Sequence, residues 1–267
     1  MHKNNKQFSG CWAIILGGSS GFGLAAIEKL SLYGMNSVVL YRELAASERS
    51  LKGKLAKLAE ENEVTIAPFN INALDETARK AVIKDIVKTI PKHDVKLLLH
   101  SIARGNLKPL VADEANAELS IDDIQLTTYA MSTSMLDWAR ELLKANLFNK
   151  DARIIGLTSE GSNKYWEGYA AVSIAKSSLE SLTTYMAVEL SKFGLKTNLI
   201  QAGVTATPSL MRIPDSERLI ETATARNPFG RLTKPQDVAN VIYLLCTPEA
   251  AWINGTVIHV DGGEHCR

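Results

Sequence analysis

The chain has 267 residues, 46% of them hydrophobic, with 30 Lys and Arg against 29 Asp and Glu. This balance of charge argues against a general nucleic-acid binder, and the composition is that of a soluble globular protein. The polar first ten residues lack the apolar core of a signal peptide, and no apolar run is long enough to span a bilayer.

Short apolar runs alternate with amphipathic segments, without a linker or a repeat. The predicted strands are 11–16, 37–41, 64–69, 95–100, 152–158, 196–201 and 255–260. Helices are predicted between them, with capping boxes proposed at Ser120 and Asp123 and at Thr233 and Gln236. The alternation predicts one α/β domain over 1–267, a doubly wound sandwich with a mainly parallel sheet of about seven strands.

Segment 203–230 interrupts this alternation and is rich in Thr, Pro and Arg. Such a long stretch without a strong pattern is unusual for a plain surface loop. Because insertions at the carboxyl end of an α/β sheet commonly cover the ligand crevice, we expect this segment to cover a substrate.

A glycine-rich turn joins the first predicted strand to a helix. It reads Gly17-Gly-Ser19-Ser20-Gly21-Phe22-Gly23, and these six numbered residues are the candidates for binding a pyrophosphate. The Gly-x3-Gly-x-Gly spacing, with the order of strands, resembles the short-chain dehydrogenase/reductase superfamily and implies a Rossmann-like NAD(P)-binding domain.

The end of the second strand is where an acidic side chain would bind ribose hydroxyls and an Arg would pair with a 2′-phosphate. Tyr41 stands where NAD-preferring members of the superfamily usually have Asp, and Arg42 follows it. The resemblance therefore favours NADPH over NADH, although Glu43 is an acid close by.

Two further strand ends bear on the cofactor. Asn70 and Ile71 stand where the superfamily usually has an Asp-Val pair beside the adenine. After the fourth strand, His100 precedes Ser101, Ile102 and Ala103, and this string resembles the enoyl-acyl-carrier-protein reductase branch. His100 itself is interpreted as a core histidine, and the three residues after it as cofactor-binding.

The spacing of Tyr169 and Lys176 is also similar to that of enoyl reductases. Carbonyl reductases of the superfamily use Tyr-x3-Lys, but that tyrosine position holds Val172. Tyr169 starts about one turn, roughly 5 Å, farther along the helix. A tyrosine displaced in this way suits the reduction of an enoyl thioester, in which hydride adds at C3 while negative charge develops on the enolate oxygen at C1. Lys176 would bind the nicotinamide ribose.

Other positions complete the candidate site. Ser159 falls where ordinary members have a catalytic Ser and many enoyl reductases have a second Tyr; it is either a donor or a residue that satisfies the loop. Met131 replaces the helix-borne Asn of ordinary members. The candidate substrate-binding residues are Gly105, Tyr165, Trp166 and Met211.

The loop after the sixth strand resembles the one that contacts the nicotinamide carboxamide and pyrophosphate. Its candidates are Gly203, Thr205 and Thr207. The terminal sequence 260–263 matches the superfamily's last strand and turn, often at an oligomer interface, so a homotetramer or homodimer is expected.

Scattered cysteines and histidines suggest neither a disulfide framework nor a zinc spacing. His259 and His265 lie near Cys266, but the group is interpreted as a chance cluster and no metal is expected. A reduced, cytoplasmic compartment is expected, with no membrane association.

The resemblance implies NADPH-dependent reduction of the C2=C3 bond of a 2-enoyl thioester on acyl carrier protein or coenzyme A, most like the variant NADPH-using branch. The donor of the proton to C2 stays unassigned. An acidic carrier would meet one of the cations Lys164, Arg212, Arg218 or Arg226, each of which is otherwise a solvated charge. Two alternatives stay open: a carbonyl reductase on a 3-ketoacyl or similar substrate, and a catalytically silent NADPH-binding protein.

Overall fold

A computed structural model describes residues 6–114, 117–213 and 215–267. Seven strands form one sheet: β1 (Trp12–Leu16), β2 (Asn36–Tyr41), β3 (Ile66–Asn70), β4 (Val95–His100), β5 (Phe148–Thr158), β6 (Lys196–Ala202) and β7 (Val257–Val260). All neighbouring pairs are parallel, in the order β3-β2-β1-β4-β5-β6-β7. The predicted doubly wound α/β fold is confirmed, and its sheet is entirely parallel.

Eight α-helices accompany the sheet in the described part of the chain: α1 (Gly21–Ser31), α2 (Ala45–Asn62), α3 (Glu76–Thr89), α4 (Ile121–Thr128), α5 (Ser134–Lys144), α6 (Ala170–Glu189), α7 (Ser216–Arg226) and α8 (Pro235–Cys246). None of the helices in these residues is both long enough and apolar enough to cross a membrane.

The sheet is buried on both faces because its central strands carry apolar side chains in both directions. On one face, α3, α5 and α6 pack Val82, Trp138 and Leu179 into one apolar cluster. On the other, α1, α2 and α8 contribute residues such as Ile27 and Val238 to a second cluster. The two layers bury β1, β4 and the apolar end of β5, so that the polar residues after these strands collect at the carboxyl edge.

Two local features differ from the sequence expectations. The predicted box at Thr233 and Gln236 is wrong: Lys234 precedes α8, and its amide donates to Asp237 Oδ2 at 2.8 Å. The Thr233 hydroxyl donates instead to the carbonyl of Val260. The box at Ser120 and Asp123 is confirmed.

The covering segment contains a helix that its sequence did not predict. Helix α7 occupies 216–226; Leu219, Ile220 and Ala223 recur at helical spacing, but only Ala223 is fully buried and the rest of the helix is mostly polar. Between α4 and α5 the chain forms a five-residue π-helix, Tyr129–Thr133, which places Ser134 beside β4.

Candidate active site

The glycine turn lies at the carboxyl end of β1, beside the point where the strand order reverses between β1 and β4. Gly17 has a φ of +83°, and a Cβ there would lie 2.3 Å from the carbonyl oxygen of Ser101. A Cβ on Gly23 would lie 2.3 Å from the carbonyl oxygen of Gly17. Only glycine fits these positions, so the turn, the start of α1 and the 101–103 strand end pack in direct backbone contact.

The N-terminus of α1 fits a pyrophosphate. Ser20 is its N-cap residue, but its side chain makes no capping hydrogen bond. Ser20 thus leaves the first-turn amides uncapped within the described part of the chain, and the positive end of the helix dipole favours an anion. Ser19 and Phe22 are half-buried, and Phe22 packs on the apolar cluster beneath the turn.

The covering segment approaches this turn at Thr207. A Cβ on Gly21, which has a φ of +53°, would lie 3.5 Å from Cγ2 of Thr207. The Thr207 hydroxyl accepts from the amide of Leu210 at 3.3 Å, and its own amide donates to the carbonyl of Thr205 at 2.7 Å. Thr207 is thus held close to the N-terminus of α1.

Asn70 holds the loop that carries Arg42. Its side-chain oxygen accepts from the amide of Glu43 at 3.0 Å, and its Nδ2 donates to the carbonyl of Glu43 at 2.9 Å. The amide of Ile71 donates to the carbonyl of Tyr41 at 2.8 Å. Both polar atoms of the Asn70 side chain therefore bond the protein backbone. Its expected place beside the adenine did not predict this role.

Arg42 is exposed, Tyr41 is buried, and Arg42 makes no hydrogen bond or ion pair with the described residues. A free guanidinium on an anchored loop suits a phosphate, which can accept two of its N–H groups at once.

The histidine string supports the cofactor-binding edge. His100 is buried, and its Nε2 lies 2.8 Å from the hydroxyl of Ser134, which itself donates to the carbonyl of Ala130. Burial, with the nearby charge of Lys176, lowers the pKa of His100 to about 3, so the ring is neutral. Ser101 donates its amide to the carbonyl of Leu16 at 2.9 Å, while Ile102 is half-buried and Ala103 exposed.

Tyr169 is the residue just before α6, and its hydroxyl oxygen lies 3.4 Å from the hydroxyl oxygen of Ser159. Burial raises the pKa of Tyr169, and the hydrogen bond with Ser159 acts in the opposite direction. The phenol therefore keeps its proton at neutral pH and can donate it. Its ring packs so closely on Gly161 that a Cβ there would lie 2.5 Å from Cε1 of the ring.

Lys176 lies on α6, seven positions after Tyr169, and is buried. Its Nζ donates to the carbonyl of Leu157 at 2.7 Å. Burial lowers the pKa of Lys176 to about 8, against the attraction of Glu180. Glu180 was not predicted as a site residue, although it lies one helical turn from Lys176, where side chains meet; it also accepts from Thr158 at 2.7 Å.

Val172, which stands at the usual tyrosine position, is buried in an apolar cluster. The cluster joins it to Ala130, Met131 and Ala175, and Tyr169 packs against its edge. A Cβ on Gly105 would lie 2.8 Å from Cγ2 of Val172. Gly105 therefore closes over Val172, so the side chain at the usual tyrosine position is apolar and covered.

The other candidate substrate residues lie nearer the surface. Tyr165 is 88% exposed and Met211 57% exposed. Trp166 is half-buried, and its buried Nε1 has no hydrogen-bond partner among the described residues. Tyr165 and Met211 are thus available to a ligand but are not packed into the site.

The loop after β6 rests on the C-terminal turn of the chain. A Cβ on Gly203 would lie 2.5 Å from Oγ1 of Thr233 and 2.8 Å from Oε2 of Glu264. The hydroxyl of Thr205, a candidate cofactor contact, donates instead to the carbonyl of Gly203 at 2.9 Å.

An ion-pair network joins this region to the segment between Ser159 and Tyr169, and the sequence did not predict it. Arg226, at the end of α7, pairs with Glu160 and, at 2.8 Å, with Glu264. Glu160 also pairs with Lys164 at 2.6 Å. Arg226 and Lys164 were considered as free cations for a carrier protein, but both have carboxylate partners here.

Comparison with known proteins decides the family. The family model described as Enoyl-(Acyl carrier protein) reductase matches residues 17–265. The chain belongs to this family. It is thereby a member of the short-chain dehydrogenases/reductases, which are NAD(P)-dependent oxidoreductases.

Individual relatives are named for two different reactions. The enoyl-acyl-carrier-protein reductase (NADH) of Aquifex aeolicus is 31% identical over 188 residues, 68% of this chain and 67% of that protein. The 3-oxoacyl-acyl-carrier-protein reductase of Vibrio cholerae is 27% identical over 254 residues, 95% and 96% of the two chains. The crystal structure of the Aquifex protein superposes with a TM-score of 0.82 and 23% identity, covering 97% and 98% of the chains, which shows the shared fold.

Proposed function

We propose that this protein reduces the C2=C3 double bond of a 2-enoyl thioester with NADPH. The observation that carries the proposal is the position of Tyr169. It lies at the start of α6 with its hydroxyl beside Ser159, whereas the position that holds the acid in carbonyl reductases is filled by buried Val172. The proposed donor, Tyr169, is thus displaced along the helix. An enoyl thioester requires such a displacement, because its carbonyl oxygen is on C1, two carbons from the C3 that receives the hydride.

The cofactor would lie along the carboxyl edge of β1, β2 and β4. The first-turn amides of α1 would bind its pyrophosphate, with Thr207 of the covering segment beside Gly21. Lys176 would donate to the nicotinamide ribose, since its Nζ is held at the end of β5 by Leu157. When bound, the nicotinamide supplies the hydride.

The protein's own part in the reaction is to orient the thioester and stabilise developing charge. The hydroxyl of Tyr169 would donate a hydrogen bond to the thioester carbonyl oxygen, where negative charge accumulates. Ser159 would orient that hydroxyl or donate to the same oxygen. The nearby ammonium of Lys176 would favour the anionic state by its field, which is strong in a buried site.

Arg42 supports the choice of NADPH over NADH, because it has no partner among the described residues and its loop is anchored by Asn70. The Aquifex relative is named as an NADH enzyme, so this preference needs a direct test. Arg42→Ala is expected to weaken NADPH binding about 10- to 100-fold, the loss of a charge-assisted pairing, and to leave NADH binding unchanged. Arg49→Ala, an exposed Arg on α2, is the matched control. Equal losses for both cofactors would contradict the assignment.

The reaction itself is tested by following NADPH oxidation with crotonyl- and acetoacetyl-thioesters in parallel and identifying the products. We expect turnover of the crotonyl substrate, and we expect Tyr169→Phe to lower kcat about 10²- to 10³-fold while cofactor affinity stays the same. Tyr185→Phe, at a tyrosine on α6 that is 65% exposed and is not a candidate site residue, controls for loss of a phenol and should be neutral.

Turnover of the ketone alone would instead identify a carbonyl reductase, the reaction of the Vibrio relative. NADPH binding without turnover of either substrate would identify a silent binding protein.

The acyl carrier and the assembly are part of the same proposal. We propose that the thioester is carried by acyl carrier protein or coenzyme A, and that the chain forms a homotetramer or homodimer. Trp252 is 98% exposed and Val188 71% exposed, and large apolar groups at a surface commonly mark protein contacts. Light scattering coupled to size-exclusion chromatography would give the mass, and a monomer would refute the assembly.

A further inference from the structure

The turn after β7 brings together two histidines and a carboxylate that take no part in the proposed reaction. His259 is in β7, Asp261 follows the strand, and His265 lies in a three-residue 3-10 turn, Glu264–Cys266. One potential ligand atom from each residue lies within 4.8 Å of the others. The sequence spacing indicated a chance cluster, but the turn folds the chain back so that all three side chains meet.

The carboxylate of Asp261 is held in place by the turn itself. Its Oδ1 accepts from the amide of Gly263 and its Oδ2 from the amide of His265, each at 3.0 Å. Gly262 and Gly263 have φ values of +62° and +81°, a conformation that glycine adopts without strain. Burial would raise the pKa of Asp261, but the hydrogen bonds from His265 and Gly263 bring it below its ordinary value, so the group is an anion.

The two imidazole rings stack on each other next to this carboxylate. Nδ1 of His265 is 2.5 Å from Oδ2 of Asp261, and the ring of His259 stacks on that of His265 with centroids 3.9 Å apart. Sγ of Cys266 is 3.4 Å from Nε2 of His265. Both rings are thus within reach of the same carboxylate.

We propose that His259, Asp261 and His265 bind one divalent transition-metal ion, with Zn²⁺ as the probe. Imidazole nitrogens with a carboxylate oxygen form a donor set that Zn²⁺ accepts readily, and the Cys266 thiol is next to it as a further ligand. His259 and His265 are exposed and line, with Asp261, a surface cavity of about 420 Å³, so an ion can reach them from solvent.

The bound ion would brace the loop beneath the active site. Glu264 lies within the same turn, and its carboxylate accepts from the amide of Val204 at 3.2 Å and pairs with Arg226 at 2.8 Å. A metal that ties His265 to β7 therefore restrains Glu264. This inference concerns a site separate from the proposed chemistry and does not depend on it.

The test is calorimetric titration of Zn²⁺ into tag-free, full-length protein that has been treated with a chelator and dialysed. We expect one equivalent to bind and the melting temperature to rise with the free Zn²⁺ concentration. His259→Gln and His265→Gln should each weaken binding at least tenfold, with circular dichroism verifying that they fold. His93→Asn is the matched control, because His93 is exposed just before the amino-terminal end of β4, away from β7, and Asn tolerates its φ of +66°.

Cys266→Ser separates the site from simple thiol binding. Three ligands remain in this variant, so one equivalent of Zn²⁺ should still bind and still raise the melting temperature. Loss of all binding in Cys266→Ser would show that the thiol alone takes up the metal and would overturn the proposal. Unchanged affinity in both histidine variants, or no binding to the wild type, would also overturn it.

Discussion

Ser159 and Tyr169 face each other at the end of β5, with their hydroxyl oxygens 3.4 Å apart. Ten residues separate them in the sequence, and the tight packing of Gly161 against the Tyr169 ring holds the intervening loop. The pair joins the half-buried phenol proposed to meet the substrate to a hydroxyl that hydrogen-bonds with it, so the two side chains should act as a unit.

Ser159→Ala is expected to lower kcat about tenfold, since it removes one neutral hydrogen bond that orients the Tyr169 hydroxyl. Adding it to Tyr169→Phe should cause little further loss, because residues that act through one another are not additive. Steady-state rates of the two single variants and the double variant measure this coupling. Fully multiplicative losses would mean that Ser159 acts on the substrate independently of Tyr169.

Lys176 predicts a pH dependence of cofactor binding. Burial lowers its pKa to about 8, so the ammonium proposed to bind the ribose is present below that pH and is lost above it. The dissociation constant of NADPH should therefore rise as pH passes from 7 to 9.5, approaching tenfold per unit at the upper end. Fluorescence titration measures it.

The control for that profile is Lys176→Arg, since the guanidinium keeps its charge over the whole range. A thermal melt should first establish that the variant folds. A flat profile for Lys176→Arg beside a steep one for the wild type is expected. Parallel profiles would assign the titration to another group.

His100 predicts a loss of stability in acid. Its folded pKa is about 3 against an ordinary value of 6.5, so below pH 6.5 the unfolded chain takes up a proton that the folded chain does not. The free energy of unfolding should fall by about 2 kcal/mol at pH 5 from this group alone.

Replacing the ring with an amide tests this contribution. His100→Gln can still donate to Ser134 and should lose less stability than the wild type between pH 7 and pH 5. Urea unfolding at the two pH values gives both differences. The same acid sensitivity in the two proteins would rule out His100 as the cause.

The glycine turn predicts opposite effects of the same substitution at two helical glycines. Gly23→Ala in α1 would place a Cβ 2.3 Å from the carbonyl oxygen of Gly17, and that backbone cannot yield without moving the phosphate-binding turn. We expect a loss of about 1–3 kcal/mol and weaker cofactor binding. Gly53→Ala in α2, where no atom lies within 4 Å of the new Cβ, should gain about 0.5–1 kcal/mol. Thermal unfolding distinguishes them, and similar shifts at both sites would contradict this packing.

Much of the fold could be predicted because its signals are local. The strands are buried from both sides, so their Val, Ile and Leu runs are visible without a structure. The glycine spacing and the Tyr169–Lys176 spacing are local as well. Helix α7 has an apolar set at helical spacing, Leu219, Ile220 and Ala223, but it lies in a stretch rich in Thr, Pro and Arg, so the segment as a whole did not indicate a helix. The cap of α8 was misplaced because the Thr233 hydroxyl turns to Val260, a partner that its own sequence neighbourhood does not reveal.

The sequence by itself determined the α/β class, and it singled out the glycine turn proposed to bind the nucleotide and the residues proposed for chemistry, since each depends on a short stretch of chain. Only the tertiary structure decided which groups meet. Asn70 bonds the Glu43 loop, Arg226 joins Glu160 to Glu264, and the last turn gathers His259, Asp261 and His265. The first two contacts link segments that are distant in the sequence, so they form only once packing of the sheet edge has brought their backbones together. The last cluster is close in the sequence but still needs the turn after β7 to close.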